Sequence, residues 1–282
     1  MAKIESLSIL LTTTGNDYLE ELSGAVIENI QKEALSYRLK NTDLSGDPVS
    51  GTVEVRRFAN ATSKNYGTAR SAGKGDNVKA APVTVAIDQD KEIVEEIEAK
   101  DVRLYSVDNV LQRRSANHVL SVAVALDKVF FSVAATAATS VNISTALAVE
   151  DALEKIIQEL ETTQNDFVEG VPRDMMALTL SPEWYGKIRN ELDKKTRVNV
   201  DTTEEQFFAW HGVEVNSSVR MPSGCDILIM VKGAVAQPVM MNQYSAEKIP
   251  LSEAIGVELF YHYGTKAVTP DLILKANLVD PT

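Results

Sequence analysis

Residues 52–58, Thr-Val-Glu-Val-Arg-Arg-Phe, and residues 83–87, Val-Thr-Val-Ala-Ile, both alternate apolar and polar side chains, the pattern of a strand with one covered face. Between them, residues 59–81 are rich in Ala, Ser, Asn, Gly and Lys and nearly free of large apolar side chains. The pair reads as a two-stranded hairpin with a long polar tip. Turn chemistry leads into it: Asn41, Asp43, Ser45-Gly46, Asp47-Pro48 and Ser50-Gly51. A lone hairpin cannot bury enough surface to be stable in water. A loop of this length is disordered or functional, or a neighbouring molecule supplies its missing packing.

The flanking segments give the hairpin a context. Upstream, the spacing of Leu19, Leu22, Val26, Ile30 and Ala34 predicts a helix over 17–37 with one apolar stripe, and Asp17 with Glu20 fits a capping pair. Downstream, residues 88–101 carry seven carboxylates against two lysines, whereas residues 45–87 carry six cations against three carboxylates. Such a split is either two solvated surfaces of opposite sign or a complementary pair. A long helix is expected over 107–133, with a stripe of Val119, Val122, Leu126, Val129 and Val133 and with Arg113 and Arg114 near its start. A second helix is expected over 144–161, capped by Asn142 or Ser144, with Val149, Leu153, Ile156 and Leu160 on one face. The 21 residues 129–149 carry no charge, but seven polar side chains among them favour a helix end, a loop and a new helix over a membrane span. From there the pattern is mixed α/β. Short strands fall at 175–180, 212–215, 227–231 and 235–241, and a helix opens at Ser181-Pro182-Glu183. A polar loop covers 194–206, an alternating strand runs through Val257, Leu259, Tyr261 and Tyr263, Gly264 and Thr265 turn the chain, and 267–274 close it.

Composition narrows the function. With 282 residues, 44% apolar and 24% charged, the chain can bury a core without staples. A single cysteine, Cys225, excludes an intramolecular disulfide and a cysteine-rich metal site. A net charge of −12 argues against wrapping nucleic acid, which needs clustered Lys and Arg. No targeting pattern is read at the N-terminus.

Catalytic chemistry finds little support. Gly67-Thr-Ala-Arg-Ser-Ala-Gly73-Lys74-Gly75 has five residues between its glycines, where a phosphate loop needs four, and Gly75 stands where the magnesium hydroxyl should be. No nucleophile elbow occurs. His118, His211 and His262 have no metal-ligand spacing and read as packing or surface residues. We expect no enzyme and no cofactor or metal.

The order of parts is more specific than any motif. Val83-Thr-Val-Ala-Ile87-Asp88, Ala125-Leu126-Asp127, Gly170-Val-Pro172 leading to Met175-Met-Ala-Leu-Thr-Leu-Ser181-Pro182, His211-Gly212-Val-Glu-Val215 through Met221-Pro222, and Tyr263-Gly264-Thr-Lys266 through Pro270 resemble, in order and spacing, segments of the major capsid (coat) proteins of tailed bacteriophages, the Hong Kong phage-type fold. The resemblance covers nearly the whole chain. It implies an α+β fold divided into an N-terminal arm (1–44), an extended β-hairpin loop (45–87), a peripheral domain with a long spine helix (88–138), an axial α/β domain (139–244) and peripheral closing strands (245–282).

The function implied is structural. Copies assemble into pentamers and hexamers of an icosahedral head around double-stranded DNA that is enclosed but not sequence-read. Each loop reaches over an adjacent subunit and each arm clasps a neighbour. No membrane partner is expected. The chain carries no long charged helical extension before its arm, which implies a separate scaffolding protein or a removed prosegment. A portal would join during assembly in the bacterial cytoplasm, and the product is the virion. Encapsulin-type nanocompartments share the fold but enclose protein cargo. The charge split makes Arg56, Arg57, Lys64, Arg70, Lys74 and Lys79 candidates to meet Asp88, Asp90, Glu92, Glu95, Glu96 and Glu98 of an adjacent subunit, with Arg56 and Arg57 foremost. By the resemblance, the 194–206 loop would surround each capsomer centre, with Lys194, Lys195 and Arg197 offset by Asp201, Glu204 and Glu205 of neighbours.

Overall fold

A computed structural model describes residues 6–78, 80–104, 106–194 and 209–279. A 3-10 turn, Leu7–Leu11, precedes α1 (Thr13–Glu33) and a short α2 (Leu35–Leu39), with Ala34 extended between them. The helix starts four residues before Asp17, so the Asp17–Glu20 pair does not cap it. Thr12 holds that position and donates its hydroxyl to the Ile9 carbonyl at 2.6 Å. Gly15 lets the turn fold back, because a Cβ there would meet the backbone of Ile9 and Leu10.

The extended loop follows, with β1 (Thr52–Phe58), α3 (Thr68–Ala72) and β2 (Ala80–Ala86). β1 and β2 pair antiparallel from Thr52 opposite Ala86 to Phe58 opposite Ala80, the hairpin expected from the alternation. Then come β3 (Gln89–Ile97), α4 (Ala99–Leu104) and the spine, α5 (Val107–Ala137). The remainder comprises β4 (Thr139–Ser144), α6 (Val149–Glu161), β5 (Gln164–Asn165), β6 (Val168–Glu169), β7 (Met176–Leu180), α7 (Pro182–Lys194), β8 (Ala209–Trp210), β9 (Val213–Ser217), β10 (Ile227–Val231), β11 (Val235–Ala236), β12 (Val239–Met241), β13 (Ser245–Lys248), β14 (Ile255–Tyr263), β15 (Lys266–Ala267) and β16 (Ile273–Val279).

Two sheets organise the molecule. In the peripheral one, β14 pairs with β12 and β13 along one edge and with β3 along the other. Its inner residues, Val257, Leu259, Tyr261 and Tyr263, pack with the α1 stripe and with Leu111, Val122 and Leu126 of α5. The axial sheet has the order β4-β16-β10-β7-β9-β8. Its two faces are both covered. Leu178, Ile227, Ile229 and Leu274 lie with α6 and α7, while Ala177, Leu228, Met230 and Ile273 lie with Phe130, Phe131 and Ala134 of α5. Burial on both faces explains the unbroken apolar run at 227–231.

Several expectations change. The 144–161 helix begins at Val149. Asn142 and Ser144 sit instead in β4, which pairs parallel with β16. The uncharged run 129–149 is thus the end of the spine followed by an edge strand. The buried spine stripe runs through Leu111, Ser115, His118, Val122, Leu126 and Phe130, its polar members hiding it from an apolar count. α5 is long and apolar enough to cross a membrane, yet both halves of its apolar face pack inside the protein. The closing segment divides. β14 belongs to the peripheral sheet but β16 to the axial one, and β12, expected in the axial segment, pairs with β14. The described part of the N-terminal segment packs on its own chain. Leu19, Leu22, Val26 and Ile30 are buried in their own chain, the Tyr18 hydroxyl donates to Asp108 at 2.5 Å, and Ser23 Oγ accepts from the Tyr244 amide at 2.7 Å.

One buried charge ties these parts together. Asp127 of the spine is fully buried. It accepts the amides of Leu35 at 3.1 Å and Ser36 at 2.8 Å, and Nη1 of Arg220 at 2.6 Å. Removing one partner of a buried pair strands the other, which costs about 3–5 kcal/mol. Asp127→Asn should therefore lower unfolding free energy by about that amount in urea titrations, while Arg220→Lys, which keeps the charge, should cost less than Arg220→Met.

Candidate functional site

The extended loop has two regimes. Its base is fixed to its own chain. Val53, Val55 and Val85 are buried with Ala236 and Val268. Gly264, read as a turn residue, instead marks a close crossing, where a Cβ would collide with the Ala86 carbonyl. Arg57 forks both guanidinium nitrogens onto Asp271, at 2.7 Å each, and lies 4.3 Å over the Phe167 ring. Asn165 Nδ2 donates to the same carboxylate at 2.6 Å, and the Asn60 amide donates to the Asp166 carbonyl at 3.1 Å. Burial pushes the Asp271 carboxyl up, but the bonds and charge of Arg57, its own amide and Asn165 outweigh it and hold it below the usual range.

The tip beyond Asn60 is different. Gly67 and Gly73, both at positive φ, bracket α3, and the tip's hydrogen bonds are local. Tyr66 is 97% exposed and Phe58 59%. Lys64 pairs with Asp76 at 2.5 Å. Arg56, Arg70 and Lys74 are exposed. Lys79 lies outside the described residues.

The acidic strand is also split by its pleat. Ile93, Glu95 and Ile97 point toward the spine, while Asp90, Glu92, Val94 and Glu96 point outward. Asp88 and Glu98 flank the strand and are exposed. Asp90 pairs with His262 Nδ1 at 2.7 Å. Glu95, expected at a subunit contact, instead binds Arg114 of its own chain and lies 3.2 Å from His118 Nε2. The Arg114 bond holds the Glu95 carboxyl down against its burial. His118 Nδ1 shares a 2.7 Å hydrogen bond with the Tyr244 hydroxyl, and burial lowers its basicity despite Glu95.

On the axial domain, Arg173 Nη2 bridges Glu154 at 2.7 Å and Glu161 at 2.8 Å. His211 Nδ1 meets Glu154 at 2.7 Å beneath the stacked Trp210 ring. The Arg173 bond dominates and draws the Glu154 carboxyl down to about 2. Lys194 ends α7. Lys195, Arg197, Asp201, Glu204 and Glu205 lie outside the described residues. Cys225 is buried and its thiol is pushed up to about 11 by that burial.

The loop's partners were the residues sequence reading missed. Asp271 and Phe167 lie 214 and 110 positions from Arg57, and no local pattern joins them. The Pro270-Asp271 turn and Asn165-Asp166 were visible only as loop chemistry.

No protein-family model matches the sequence, and no curated protein matches it. Solved structures do. The capsid structure of cyanophage P-SCSP1u superposes with a TM-score of 0.62 at 15% identity, over 88% of this chain and 89% of that one. The capsid of a native GTA particle gives 0.61 at 10% identity, over 88% and 90%. A virus-like particle from Pyrococcus furiosus gives 0.57 at 12% identity, over 93% and 100%. The chain has the tailed-phage major capsid fold, as the order of its segments implied.

The clamp and the axial cluster predict an acid response. A carboxylate held below its unfolded value contributes stability that is present above the unfolded pKa and lost as pH falls through the folded one. Stability should therefore fall from about pH 5 down to about 2 as Glu154 protonates. Glu154→Gln should flatten that slope in thermal melts. Asp271→Asn should raise amide exchange across 52–58 while leaving exchange in α5 unchanged.

Proposed function

We propose that this chain is the major shell subunit of a tailed-phage head, a structural protein that assembles with copies of itself into hexamers and pentamers enclosing double-stranded DNA. The observation that carries the reading is the structural match of 88% of the chain to the capsid structure of cyanophage P-SCSP1u. The loop supports it physically. Its base is rigid and its tip projects exposed groups that its own chain does not cover, which suits a contact completed by a neighbour. Many weak contacts repeated around a shell sum to stability while each stays reversible. The acidic balance suits a container that must not trap its DNA. A scaffolding protein and a portal would join during assembly in the host cytoplasm. In the same reading, residues 194–206 ring each capsomer centre.

The similarity to the Pyrococcus furiosus virus-like particle, which spans all of that chain, favours a second reading, a shell around other cargo. Purified particles should distinguish them, since DNA resistant to nuclease inside the shell marks the first.

Purified protein, with scaffolding supplied if required, should form closed shells or capsomers in negative stain. A monomer at every concentration and salt, by light scattering, would refute the proposal. Replacing residues 60–78 by a short Gly-Ser turn should leave the melting profile intact and abolish shells. A capsomer map that sets 194–206 at the outer rim would contradict the central placement.

A further inference from the structure

We infer that His211 is a proton-operated latch that ties the edge hairpin of the axial sheet to α6, holding when its ring is charged and loosening when it is neutral. The inference concerns the single subunit and stands or falls apart from the shell reading.

The hairpin forms against two local penalties. β8 and β9 are joined by His211-Gly212, with Trp210 opposite Val213. Both turn residues have positive φ, 47° at His211 and 88° at Gly212. That is the form of a two-residue hairpin turn, which Asn, Asp or Gly adopts most easily. A histidine there carries backbone strain. Beside it Trp210 is buried, yet its Nε1 donor has no acceptor among the described residues. β8 is two residues long and lies at the end of the sheet order, so few ladder bonds oppose its release.

The His211 side chain offsets those penalties. Its Nδ1 meets Glu154 Oε2 at 2.7 Å, and its ring stacks on Trp210 with centroids 4.6 Å apart. Arg173 Nη1 donates a long bond, 3.4 Å, to the His211 carbonyl. The charged groups around the turn are Glu154 from α6 and Arg173 from the segment before β7. Glu161 of α6 acts through Arg173, and Glu214 of β9 is engaged by Arg38 and Lys232. Asp174 is exposed next to Arg173, and Glu150 lies one turn before Glu154. The Arg173 bond draws the Glu154 carboxyl down to about 2, so Glu154 stays ionised throughout the range in which an imidazole gains or loses its proton. The variable charge is therefore that of His211. Protonated, it makes a charge-assisted bond, roughly twice as strong as a neutral one. Neutral, it keeps the bond only as the Nδ1–H tautomer and without the charge, while the strain and the unpartnered indole remain. Loss of the proton thus shifts the balance toward an open hairpin, which bares Trp210 and the edge of β9 to other strands.

The test is amide exchange over 209–217 in the full chain, corrected for the intrinsic pH dependence of exchange. Corrected exchange should be at least about threefold faster at about pH 8 than at about pH 5.5. In His211→Asn, whose side chain tolerates the left-handed turn, the two rates should be equal. In Glu154→Gln the ratio should also fall to about one, because the histidine still titrates but has lost its charged partner. A second readout uses Trp184→Phe, which leaves Trp210 as the single tryptophan. Its emission should titrate between about pH 5 and 8 and stay flat when His211→Asn is added. Equal corrected exchange at the two pH values in the parent, or the same pH dependence in His211→Asn, overturns the inference. Neither measurement requires particles, so failure of the shell reading would leave the outcome unchanged.

Discussion

The buried carboxylate of Asp127 is the constraint around which the molecule is arranged. A charge removed from water must be met by hydrogen-bond donors, and here the spine carries the carboxylate while the donors come from two other places: the backbone at the start of α2, and Arg220 beyond the axial strand β9. Meeting that demand fixes where the N-terminal helix stops, which way the chain leaves it, and how the axial domain sits on the spine. The spine provides the lever arm. At about 1.5 Å per residue its 31 residues span about 46 Å, one half embedded in the peripheral core and the other against the axial sheet. Apolar packing alone would tolerate sliding along such a helix, whereas a directional charge with three donors does not.

Much of this was legible because period and burial coincide. The α1 stripe, the β14 alternation and the hairpin strands each cover one face, so pattern and packing agree. Legibility failed where that link breaks. β4 lies at the edge of the axial sheet and carries Ser140, Asn142 and Ser144, so it reads as loop and cap. The spine's buried face includes Ser115, His118 and Asp127, so its true stripe is displaced from its apolar one. The allocation of β12 and β16 between sheets depends on crossings at Gln237-Pro238 and Pro270–Leu272, which no local periodicity encodes.

The loop shows the same division at the level of function. Its sequence announced a hairpin with a polar tip and a basic balance, and all of that is present. What sequence could not show is that one of its two foremost cations is already engaged. Arg57 is held by Asp271, Asn165 and Phe167, so it sets the direction of the loop and is not available to a neighbour. Likewise Glu95 serves the Arg114–His118–Tyr244 network inside the peripheral core. A charge count treats such residues as equivalent to those on the surface; desolvation and partners separate them.

The position of β16 has a consequence for biosynthesis. It lies between β4 and β10, so the axial sheet stays divided until residues 273–279 have been made, well after the spine, the loop and every other axial strand. A nascent chain therefore presents its extended loop before its axial sheet is complete. Late completion of the axial sheet makes β16 the strand on which closure of the whole body depends.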